Sequence, residues 1–156
     1  LSSPGVPSAC YARPGTDRGA TYFTDPRVVF EGNHSLRLVT PVENGGVTLR
    51  FYPIKVMPGK RYMVSIWAKA DPDQRFLPGH NSEEGNLPPQ FVEAGINGFA
   101  TARFVPEKDW KQFVTFVTIP QDTVPEIKAN VILRMLGQGV AWFDMLQVIE
   151  DPLFKE

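Results

Sequence analysis

The residues that could do chemistry are few. Among 156 residues there are two histidines, His34 and His80, and one cysteine, Cys10. His34 reads as a surface or turn residue and His80 as a loop residue, while Cys10 sits in the Pro-rich lead LSSPGVPSACYARPG, far along the chain from either. A nucleophilic triad or a His-based zinc site is therefore poorly supplied. There is no G-x-S-x-G elbow, and the glycines fall in turn-like contexts rather than between a strand and a helix, so phosphate loops and dinucleotide fingerprints are absent. Carboxylates are more plentiful. Glu83, Glu84 and Glu93 lie in or beside one Gly/Asn/Ser-rich stretch and could supply the acid pair of a glycosidase, although neighbouring acids in such loops are ordinarily solvated.

The carboxylate that asks for an explanation is Asp144, inside the apolar run GQGVAWFDMLQVIE at 137–150. Strand alternation puts Trp142, Asp144, Leu146 and Val148 on one side and Phe143, Met145 and Gln147 on the other, which turns Asp144 inward. An ionised Asp is expensive to bury without a partner. Three partners fit: a salt bridge, backbone amides at the rim of a sheet, or a hard cation such as calcium, which favours oxygen ligands.

The elements that must position these groups are strands. Fifteen Pro and thirteen Gly are scattered along the chain and punctuate short β-rich segments, as in an all-β domain with frequent turns. Strands are expected near 20–24, 34–40, 47–56, 61–70, 90–96, 99–105, 111–119, 128–136 and 140–149, separated by turn signals such as MPGK at 57–60 and Asn97-Gly98. About nine strands in one domain suggest two packed antiparallel sheets, a β-sandwich or jelly roll. The expected organisation is a single domain over 1–156, with an irregular lead at 1–19 and a long loop at 71–89, forming part of a longer polypeptide. Sixteen basic against seventeen acidic side chains leave a net charge of −1, without the basic footprint of a nucleic-acid or anionic-membrane binder. No apolar run approaches the ~20 residues of a membrane span, and one cysteine excludes an internal disulfide framework.

Alternation also sorts faces. Tyr62, Val64, Ile66 and Ala68 turn to the core, and Met63, Ser65, Trp67 and Lys69 away from it. By the same rule Thr48, Arg50 and Tyr52 turn outward, as do Phe91, Glu93 and Asn97, and Asn130, Ile132 and Arg134. Alternation does not say which strands share a sheet.

Four segments together resemble carbohydrate-binding modules of the family 4, 9 and 22 type. VVFEGNHSLRLV (28–39) is similar to their early v-x-E-G-x-x-S-L-x-v strand, and VMPGKRYMVSIWAKAD (56–71) to their v-x-P-G-k-x-Y-x-v-S-f-W-a-K-a hairpin. DWKQFVTFVTIP (109–120) and VAWFDMLQVIE (140–150) are similar to the later W-k-x-f and closing v-w-f-D-D segments, with Met145 where many such modules have a second Asp. Order and spacing agree over roughly 20–150. The resemblance implies a galactose-binding-domain-like jelly roll and a structural calcium held by Asp144 with Glu31, Asn33 and backbone oxygen near Gly32. It also implies a non-catalytic module that binds a polysaccharide or oligosaccharide. Such a module would be attached to a catalytic domain of the same polypeptide, in a secreted, periplasmic or cell-surface polysaccharide-degrading enzyme. Sugar recognition uses aromatic rings with fixed polar groups beside them; here Trp67 with Arg50, Tyr52, Lys69, Glu93 and Arg134 is the expected set, and its basic residues suit an acidic sugar. Two other roles fit such a sandwich: a structural domain packed on a neighbour, and a jelly-roll lyase or hydrolase using carboxylates in or beside 71–93.

Overall fold

The computed structural model describes residues 10–13, 20–41, 46–51, 53–71, 81–82, 85–86 and 91–154. Within them the alternating segments form β1 (Cys10–Arg13), β2 (Thr21–Asp25), β3 (Ser35–Thr40), β4 (Gly46–Phe51), β5 (Ile54–Lys55), β6 (Arg61–Ala70) and β7 (Asn81–Ser82). The chain continues through β8 (Gly85–Asn86), β9 (Phe91–Ile96), β10 (Ala100–Phe104), β11 (Lys111–Thr118), β12 (Lys128–Ala129), β13 (Val131–Leu136) and β14 (Gly139–Glu150). Two five-stranded antiparallel sheets result: sheet A, ordered β1-β4-β13-β9-β10, and sheet B, ordered β11-β6-β14-β3-β2. Short β5–β12 and β7–β8 ladders complete the pairing among the described residues. The fold is an all-β sandwich.

The expected inward faces are the buried ones. Leu49, Leu133, Met135, Val92 and Ala94 of sheet A meet Leu38, Ile66, Ala68, Ala141 and Phe143 of sheet B in one cluster. A second cluster, Val56, Tyr62, Val64, Ile96, Val117 and Ile119, closes the other end. Two expectations are corrected. The lead is not irregular throughout, because Cys10–Arg13 adds an edge strand to β4. The 71–89 stretch includes the β7–β8 ladder; Glu83, Glu84 and His80 lie outside the described residues.

Strand β14 departs from simple alternation. Its register on β6 runs Phe143↔Ala68 and Asp144↔Trp67, then resumes at Gln147↔Ser65 and Val148↔Val64. Three steps on β14 thus match two on β6, a β-bulge, and Met145 within it has φ of 53°. The bulge switches the side chain parity. Phe143 and Ala141 face the core before it, and Val148 pairs with the buried Val64 after it. Asp144, expected to point inward, shares the outer face of sheet B with Trp67.

Candidate functional site

Asp144 holds backbone amides. Its Oδ2 accepts hydrogen bonds from the N–H groups of Phe30 and Glu31, both at 3.1 Å, and its Oδ1 accepts one from Met145 N–H at 2.8 Å. The carboxylate so fixed pins the turn between β2 and β3, and the Phe30 ring lies on Trp67 with centroids 4.1 Å apart and planes at 17°. Trp110 closes the group at 5.7 Å from Phe30. The cation expected at Asp144 would share the carboxylate with three N–H donors, and Glu31 and Asn33, expected beside it, have exposed side chains. Among the described residues no three His, Cys, Asp or Glu side chains gather as a metal site. Trp67, expected to offer its ring to a sugar, offers one face of it to Phe30.

The same outer face has a second carboxylate, and this one is buried. Asp25, at the end of β2, is 1% exposed. It accepts bonds from the Trp142 indole N–H at 3.1 Å, the Arg27 backbone N–H at 2.9 Å, Arg27 Nε at 3.0 Å and an Arg27 terminal N–H at 3.2 Å. The Arg27 side-chain bonds are the largest cause holding the Asp25 carboxyl far below the usual carboxylate range, burial opposes them, and the Arg27 amide and Trp142 add to the lowering. Beside it the Arg37 guanidinium sits 5.0 Å from the Phe23 ring centre and 5.7 Å from that of Trp142. Lys69 reaches to 5.8 Å from Trp142. These rings and charges pack on one another, with Arg37 Nε left without a hydrogen-bond partner.

The outer face of sheet A is different. The pairing sets two rows across four strands: Arg50, Ile132, Gly95 and Thr101 in one, and Thr48, Arg134, Glu93 and Arg103 in the next. Asn97 and Gly98, in the β9–β10 turn, and Phe99 form the end wall of a groove of about 500 Å³ over these rows. Glu93 accepts a bond from the Thr101 hydroxyl at 2.8 Å and one from Arg103 Nε at 3.3 Å, while the Arg103 guanidinium lies 4.2 Å from the Phe91 ring centre. Gly95 sets the depth of the wall. A Cβ there would lie 2.3 Å from the Ala100 carbonyl oxygen and 2.6 Å from Thr101 Cα, so only glycine lets β10 lean over the floor. Gly95→Ala is expected to displace β10 and destabilise the domain by about 1–3 kcal/mol, the usual range for overpacking. Amide exchange across β9–β10 checks the first effect, and thermal melts the second.

Of the six residues expected to form a sugar site, Arg50, Glu93 and Arg134 line this one groove. Trp67 and Lys69 stand on the opposite outer face of the sandwich, and Tyr52 lies outside the described residues. Sequence reading missed Thr101 and Arg103 as neighbours of Glu93, although the Asn97-Gly98 turn fixes the hairpin register that brings them there. Asp25 and Phe30 carried no comparable signal, because the rings they meet, Trp142 and Trp67, are more than 30 residues away. A smaller hollow of about 200 Å³ opens at one end between the sheets, lined largely by core side chains such as Phe51, Ile66 and Phe143. Thr24, His34, Ser35 and Asp144 also line it, without the arginines of the groove.

No protein-family model and no curated protein matches the chain. Solved structures do match its fold. An arabinose-bound GH51 α-L-arabinofuranosidase superposes with a TM-score of 0.66 at 14% identity over 96% of this chain, which spans 25% of that enzyme. A family 61 carbohydrate-binding module in complex with β-1,4-galactotriose gives 0.57 at 10% identity, over 92% of this chain and 90% of that one. The CBM22-1 xylan-binding domain from Paenibacillus barcinonensis gives 0.53 at 13% identity, over 94% and 88%. The chain has the β-sandwich fold of carbohydrate-binding modules. Among the described residues no helix is long and apolar enough to cross a membrane.

Proposed function

We propose that this β-sandwich is a non-catalytic carbohydrate-binding module whose sugar site is the groove on sheet A. The groove itself supports the reading: polar groups, Arg50, Arg134, Asn97 and the Glu93–Thr101 pair, surround the apolar floor at Ile132. Such a surface can take sugar-ring carbon on its floor and select hydroxyls at its walls. Glu93 is bound to Thr101 and Arg103, which suits a positioning group better than a general acid. The fold shared with modules over 88–90% of their length, and with part of an arabinofuranosidase, supports attachment to a polysaccharide-degrading enzyme outside the cell. There the module would act by tethering, since weak reversible binding raises the effective concentration of a linked catalytic domain at its substrate.

Affinity electrophoresis through gels cast with neutral and acidic polysaccharides tests this. Retardation by at least one glycan is expected, lost in Arg134→Ala and kept in Trp67→Ala, whose ring is on the other sheet. Retardation lost in Trp67→Ala and kept in Arg134→Ala would move the site to sheet B, and none at all would end the reading.

A further inference from the structure

We infer that the sheet-A groove selects anionic polysaccharides, gripping the oxyanions of carboxylated or sulfated sugars with Arg50 and Arg134; this rests on the groove being the sugar site. The two arginines are diagonal neighbours across β4 and β13, since Arg50 pairs with Ile132 and Thr48 with Arg134. Diagonal positions stand ~7–8 Å apart, so both guanidinium groups reach the same stretch of groove.

Neither arginine has a partner among the described residues. The ion pairs engage Arg27, Arg61 and Arg103, and the arginine–ring contacts engage Arg37, Arg61 and Arg103. Arg50 Nε is buried with no hydrogen-bond partner, a donor waiting for an acceptor. Arg37 Nε is orphaned too, but its guanidinium lies over two rings, which accounts for its position. Among the described residues no ring accounts for Arg50. Arg134 sits directly across from Glu93 in the pairing, yet both Glu93 oxygens are engaged on the far side, by Thr101 and Arg103.

The balance of donors and acceptors points the same way. Glu93 is the sole carboxylate lining the groove among the described residues, and with Arg103 already paired to it, Arg50 and Arg134 stand as uncompensated cations. This happens on a chain whose net charge is −1, so the positive charge is local. A neutral sugar hydroxyl needs donors and acceptors in similar number, whereas a guanidinium offers five donors and no acceptor. Planar forks of this kind match oxyanions in bidentate pairs.

The test uses matched gels: polygalacturonate against its fully methyl-esterified form, and dextran sulfate against dextran. Each pair keeps the sugar ring and changes the charge. Retardation by an anionic member and not by its neutral counterpart is expected, and the pair that responds identifies carboxylate or sulfate. Arg50→Gln and Arg134→Gln should each weaken that binding about tenfold or more, as loss of a charge-assisted pair does, with melting temperatures near that of the parent. Lys111→Gln, an exposed side chain on the edge strand β11 of sheet B, should leave it unchanged; an equal loss there would reduce the effect to diffuse polyanion attraction and overturn the inference. Equal retardation by charged and neutral members, insensitive to Arg50→Gln, would keep the sugar site and remove its selectivity. No retardation by any polysaccharide, including neutral xylan and galactan, would remove both.

Discussion

Replacing Asp25 by alanine is expected to lower stability by about 2–4 kcal/mol, because a buried indole N–H loses a charged acceptor and Arg27 loses its anchor. For a domain of this size that corresponds to about 5–15 °C in melting temperature. The effect has a pH signature. The bonds from Arg27 hold the folded carboxyl below its ordinary value, so folding favours the ionised form. The associated stability is fully present above the unfolded pKa of ~3.9 and is lost as pH falls below it toward the folded value. Asp151 contributes with the same sign, lowered first by its bond from Arg61 and then by the Leu153 backbone N–H. Melting temperatures of the parent should therefore drop on acidification below pH ~4, and those of Asp25→Asn should drop less steeply. Parallel acid limbs in the two proteins would show that Asp25 is not bonded as described.

Asp144→Ala should come second, at about 2–3 kcal/mol, since three backbone N–H groups share one charged acceptor that is only partly withdrawn from water. Its readout is local as well as global. Releasing the Phe30–Glu31 amides frees Phe30 from Trp67, so the indole emission should shift to the red before the domain unfolds. Glu31→Ala and Asn33→Ala, exposed side chains of the same turn, should stay within about 0.5 kcal/mol of the parent. The parent melt should be the same in EDTA as in millimolar calcium. A calcium-dependent rise that disappears in Asp144→Asn would put a cation back at this carboxylate.

Much of this architecture is legible in the sequence. Strand β6 was readable residue by residue, since RYMVSIWAKA alternates without interruption and its neighbours impose the same period. The outward set around Arg50, Glu93 and Arg134 was readable for the same reason. What alternation cannot carry is the partner of each strand, because parity is a local property and pairing is not. Trp67 and Arg50 both face outward, yet one is on sheet B and the other on sheet A, and nothing within either strand distinguishes them. Asp144 failed for a different reason. Its inward assignment assumed a period of two through Met145, and a single residue at positive φ breaks that period. The break has a trace in the sequence, for Ala141 and Phe143 share a parity that Leu146 and Val148 do not. The question of what Asp144 holds was open between a salt bridge, amides and a cation, and distance in the chain hid the amides: Phe30 lies 114 residues away.

The extra residue of β14 bears on how this strand can change in length. Where Asp144 pairs with Trp67 and Gln147 with Ser65, two residues stand opposite one. Deleting Met145 would leave Leu146 opposite Ile66 and every later residue in its present frame, with Val148 still toward the core and Ile149 still outside. A one-residue deletion is ruinous in most strands because it inverts everything downstream; here it would merely straighten the strand. The loss would fall on Asp144, whose Oδ1 would no longer meet the Met145 amide. The insertion is thus neutral to the sheet and matters to one side chain, which it aims at the turn that covers Trp67.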